Sequence, residues 1–70
     1  MSPPHYVLTV IMEENGIILW KMNHIVEDDI STLGSVQSIL SGTGYTLYSV
    51  GFPVLALFVL KPFKVYIFTV

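Results

Sequence analysis

Hydrophobic and polar positions along the chain fall into three blocks. The first, from His5 to Ile25, opens on Tyr6-Val7-Leu8-Thr9-Val10-Ile11-Met12, a run rich in β-branched and aromatic residues. Asn15-Gly16 follows, the dipeptide that accepts positive φ at both centres of a type I′ turn, and Ile17-Ile18-Leu19-Trp20-Lys21-Met22 leads back. The pattern predicts a β-hairpin. With Asn15 and Gly16 as turn centres, one face carries Tyr6, Leu8, Val10, Met12, Ile17, Leu19 and Ile25, and the other Val7, Ile11, Ile18, Trp20 and Met22. Both faces are mostly apolar, so cover is expected on both sides of the hairpin.

The second block, Asp28 to Ser41, predicts a short amphipathic helix, with Ile30, Leu33, Val36, Ile39 and Leu40 at helical spacing. Glu27-Asp28-Asp29 supply an N-cap and negative charge at the positive end of the helix dipole. Gly42 is the natural C′ residue, and Thr43-Gly44 continues the break. Gly34, Ser38 and Gly42 recur every fourth position beside Ser31 and Ser35. On a helix this is a small-residue ridge that allows close backbone approach by a second helix, above all within a bilayer.

The third block, Tyr45 to Val70, admits two readings. Residues 30 to 60 are 31 consecutive uncharged positions. Read as a helix, the 18 residues from Thr43 to Leu60 extend about 27 Å, close to the ~30 Å hydrocarbon core of a bilayer. Tyr45 and Tyr48 then lie at one membrane interface, with Lys61, Lys64 and Tyr66 at the other. Read as strands, the block divides into Tyr45–Val50, Val54–Leu60 and Lys64–Val70, separated by Gly51, Pro53 and Lys61-Pro62-Phe63. The whole chain then runs ββαβββ. That order resembles the small profilin-like domains of the roadblock and longin type. The resemblance rests on element order, implies a compact α+β fold, and carries no function with it.

Composition pushes toward an assembly-dependent protein. Seventy residues make one domain at most, near the lower size at which a core sustains itself. Apolar residues make up 53% of the chain and charged residues only 11%, under half the usual share. So few charges cover the surface of a free monomer poorly. Net charge is −2 and arginine is absent, which argues against nucleic acid as a partner. The lack of cysteine excludes disulfides and thiolate metal sites. Met1-Ser2-Pro3-Pro4-His5 lacks the basic start of a signal peptide.

No constellation converges on catalysis. His5 and His24 face each other only if the hairpin loop spans Glu13 to Gly16, and no third metal ligand accompanies them. In the Asn-Gly register His24 faces Val7 instead. Glu27-Asp28-Asp29 lacks the spacing of a calcium loop. Ser31, His24 and Asp28 have the letters of a triad without a nucleophile elbow. Ser41-Gly42-Thr43-Gly44 lacks the lysine of a phosphate loop. No catalytic residue, metal, cofactor or small-molecule substrate is expected.

The first expectation is therefore a non-enzymatic, single-pass membrane protein. A hairpin and helix over residues 1–42 precede a hydrophobic segment over 43–70 whose membrane span is 43–60. Its partners are the bilayer and other subunits or copies of itself, through Gly34, Ser38, Gly42 and Trp20. The alternative is a soluble, cytoplasmic ββαβββ module that pairs through a sheet edge or face.

Overall fold

The computed structural model describes residues 5–27 and 30–69. Strands β1 (His5–Glu14) and β2 (Ile17–Glu27) precede helix α1 (Ile30–Gly42) and strands β3 (Thr46–Gly51), β4 (Val54–Leu60) and β5 (Phe63–Thr69). All strand pairs are antiparallel, in the order β2-β1-β5-β4-β3. Strand β5 lies between β1 and β4, so the hairpin and the C-terminal strands share one sheet.

The expected transmembrane helix is overturned, and the alternative ββαβββ order is the one observed. Residues 43–60 hold the turn after α1, all of β3, the Phe52-Pro53 turn and all of β4. Among the described residues no helix is long and apolar enough to cross a membrane. The physical reason lies in the breakers. Pro53 has no N–H and its ring clashes with the carbonyl four residues back in a helix. Pro53 and Pro62 instead occupy the second position of two-residue hairpin loops, each behind a cis peptide bond. Val54–Leu60 forms β4, an interior strand with a β neighbour on each side and one face against the core. Ala56 and Phe58 are buried, and Leu55, Leu57 and Val59 are half-buried.

The core lies between α1 and one face of the sheet. Leu33 packs with Ala56, Phe58, Val65 and Ile67, and Tyr6, Leu8, Val10, Leu40, Tyr45 and Leu55 close around them. Ile67 is fully enclosed. The opposite face carries Val7, Thr9 and Ile11 of β1 beside Phe68, Tyr66 and Lys64 of β5, following the cross-strand register. There the Tyr66 and Phe68 rings stack with centroids 5.7 Å apart.

Helix α1 runs one residue further than expected, and its C′ position falls two residues later, at Gly44. Gly42 is the last helical residue, and Gly44, at φ 96°, takes the left-handed position. The Tyr45 N–H donates to the Leu40 carbonyl at 3.1 Å and the Gly44 N–H to that of Ser41 at 3.5 Å. This is a Schellman motif, and its usual apolar contact is supplied by Leu40 and Tyr45, both packed on the core. Thr43 adds a hydroxyl bond to the Ile39 carbonyl at 3.1 Å.

The first hairpin turns at Asn15 (φ 54°) and Gly16 (φ 79°), the positive pair of a type I′ turn. Its register departs from the expected one. Glu14 pairs with Ile17 and Glu13 with Ile18, but Met12 pairs with Trp20, leaving Leu19 as the extra residue of a bulge. Every later β2 residue is displaced by one, which reverses its face. Trp20 and Met22 therefore side with Met12 and Val10, while Asn23 lies opposite Thr9. That placement has a chemical reason: the buried Thr9 hydroxyl donates to Asn23 Oδ1 at 2.8 Å. Without the bulge, Thr9 has no such acceptor across the strand.

Candidate interaction surface

The most conspicuous surface follows from the sheet order, which leaves β2 and β3 as edges. An edge strand has one row of backbone N–H and C=O groups without a ladder partner. Strand β2 is 11 residues long. Its Ile17, Ile18, Leu19, Trp20, Met22 and Ile25 are 44–64% exposed. Lys21 is the only formal charge between Ile17 and Val26. No proline interrupts the strand. At roughly 200 Å² for a large apolar residue, these exposures leave on the order of 650 Å² of β2 open to solvent, divided between the two faces of the strand.

Strand β3 is a different edge. It has six residues, and its pairing with β4 slips between Leu47 and Ser49 and again between Ser49 and Gly51. Leu47, Tyr48 and Phe52 are exposed on this side, without a regular ladder beneath them.

The residues singled out from sequence scatter. Trp20 lies on the β2 edge. Gly34, Ser38 and Gly42 are exposed along α1, with open space where a Cβ would stand at Gly34 and Gly42. Tyr45 and Tyr48, expected at one membrane interface, do not sit together. Tyr45 caps the helix against the core, whereas Tyr48 is 68% exposed on β3. Of Lys61 and Lys64, expected at the other interface, Lys61 is the first residue of the β4–β5 turn and Lys64 the second residue of β5. Among the described residues no spanning helix carries these four.

Lys64 has a different role. Its Nζ donates to Glu13 Oε1 at 3.0 Å, tying the β4–β5 turn to the tip of the first hairpin. The Glu13 N–H reinforces the link by donating to the Pro62 carbonyl at 2.9 Å. The hydrogen bond and the Glu13 charge hold the Lys64 ammonium above its ordinary pKa. The two turns flank an open cleft lined by Glu13, Glu14, Asn15, Gly16 and Lys61 to Lys64. Sequence alone gave no sign of this pair, because the partners are 51 residues apart.

His24 lies opposite Leu8 and His5 opposite Glu27, so the two histidines do not face each other. Asp28 and Asp29, and with them the acidic cap, fall outside the described residues. Thr43 and Gly44 of the glycine-rich stretch serve the helix end described above.

Comparison with known protein families, with characterised proteins and with solved structures finds no match for the chain.

Proposed function

We propose that this chain is a non-enzymatic protein–protein interaction module that engages its partner by strand addition at the β2 edge. One observation carries the reading: a long, nearly uncharged edge strand with six large apolar side chains open to solvent. Natural sheets blunt such edges with charge, proline, brevity or cover, because an open one pairs with other chains. Strand addition uses both of its assets. Main-chain hydrogen bonds supply affinity, and the alternating side chains supply specificity.

The test is site-specific photo-crosslinking in cells of the chain's source. A photoreactive residue replacing Met22 is expected to yield discrete crosslinked species, and the same residue replacing Tyr48 on β3 few or none. Crosslinking confined to position 48, or absent from both positions, rejects the reading.

A further inference from the structure

We propose that Asn15 is a self-modifying site: in the folded chain its side-chain amide is exchanged for a carboxyl through attack by the Gly16 nitrogen. The case stands apart from the β2 edge and rests on the hairpin tip. Asn15 and Gly16 are the centres of a type I′ turn, at φ 54° and 79°, and both are exposed. In such a turn the hydrogen bonds join the flanking residues, here the Glu14–Ile17 pair, and leave the central N–H groups out of the ladder. Among the described residues no backbone acceptor takes the Gly16 N–H, and no hydrogen bond engages the Asn15 amide. Gly16 has no Cβ, and the space where one would stand is empty to 4 Å. The attacking nitrogen is therefore uncrowded.

The step balances without an oxidant or a cofactor. The Gly16 nitrogen gives up its proton and bonds to Asn15 Cγ. The Cγ–Nδ2 bond breaks, and ammonia leaves carrying that proton. Water then opens the resulting cyclic imide at one of its two carbonyls. Opening at Cγ leaves aspartate. Opening at the main-chain carbonyl leaves isoaspartate, in which the backbone runs through the former side chain.

The structure separates Asn15 from Asn23, the other asparagine of the chain. Asn23 lies within β2 opposite Thr9, and its Oδ1 accepts the buried threonine hydroxyl at 2.8 Å. His24 follows it, so a side chain crowds the nitrogen that would attack.

The surroundings give the two products different fates. Either one makes the formal net charge of −2 one unit more negative, in a cleft that already holds Glu13 and Glu14 beside Lys61 and Lys64. Aspartate keeps the turn, since Asp-Gly also suits type I′. Isoaspartate adds a backbone carbon to a two-residue loop, so Glu14 and Ile17 no longer close it. The Glu13 links to Lys64 and to the Pro62 carbonyl are then displaced.

Incubation of the full chain near neutral pH in water enriched in heavy oxygen, then digestion in ordinary water and mass spectrometry, tests this. Heavy oxygen is expected at position 15, entering at least about tenfold faster than at position 23, where a side chain follows the asparagine. Carboxyl methylation by an isoaspartate methyltransferase should report the isoaspartyl share. Asn15→Gly keeps a type I′ turn as Gly-Gly and should abolish both signals. Across urea concentrations below the unfolding midpoint the rate at position 15 should stay flat. A rate that climbs with the unfolded fraction places the reaction in the unfolded chain and overturns the proposal. No conversion in the folded chain, or conversion at position 23 as fast as at 15, overturns it equally.

Discussion

Strand β3 ends the sheet with six residues whose pairing slips twice, whereas β2 ends it with eleven residues broken by a single bulge near the hairpin tip. Both display apolar side chains, so hydrophobicity alone does not separate them. Regularity does. A docking strand needs evenly spaced backbone donors and acceptors along its length, and repeated slips remove that from β3. From Trp20 onward β2 keeps an unbroken register with β1. The bulge matters for the same surface, because it decides which β2 side chains share the helix-bearing face and which lie with Thr9 and Ile11.

The largest expected effect tests whether the two edges belong to one cooperative unit. Ile67 is fully enclosed on the strand between the two halves of the sheet. Ile67→Ala should lower stability by about 3 kcal/mol through lost burial and a cavity. Hydrogen exchange should then accelerate together in β1 and β4. Acceleration on one side only would mean that the edges unfold independently.

Gly16→Val acts on one edge. At φ 79° a β-branched residue is strained, and a loss of about 1–3 kcal/mol is expected. In urea denaturation the loss appears as a lower midpoint, and exchange should rise first in β2. Equal early loss in β3 would break the contrast. Asn23→Ala is narrower: it strips the Thr9 hydroxyl of its acceptor, with an expected cost of about 1 kcal/mol by the same denaturation measurement and no change at β3.

The helix should be indifferent to the edges. Nothing stands within 4 Å of a Cβ built on Gly34, so Gly34→Ala should raise stability by up to about 1 kcal/mol and leave crosslinking from position 22 unchanged. Weakened crosslinking would instead mark the small-residue ridge as a contact surface.

The smallest effect concerns the turn that ties the hairpin tip to β5. The folded Lys64 pKa lies above the ordinary 10.5. Its stabilising contribution is therefore complete below that pH and lost as pH rises through the folded value. A pH series of thermal midpoints should show a shallow alkaline decline that Lys64→Met removes, and added salt should diminish the difference.

Much of the backbone was legible in advance. Asn15-Gly16 specifies its turn chemically, since both residues accept positive φ. The Val54–Leu60 run bounded by Pro53 and Lys61-Pro62 coincides with β4 as the strand reading had it. The spanning helix was the error, and its cause is general: a continuous apolar run satisfies either a bilayer or a central strand. Length favoured the first, while Gly51 and Pro53 held the information for the second. The helix end was misplaced because Gly42 and Gly44 both suit a C′ position, and only the Leu40–Tyr45 contact with the core selects Gly44.

Local chemistry alone thus determined the first turn, the helix and the places where strands must stop, because those depend on φ preferences and missing N–H groups within a few residues. Tertiary structure decided which strands became edges, where β2 slipped by one residue, and that Lys64 would meet Glu13. Each of these depends on pairing between distant segments, where the gain from burial and hydrogen bonding is shared among strands and no single segment encodes it.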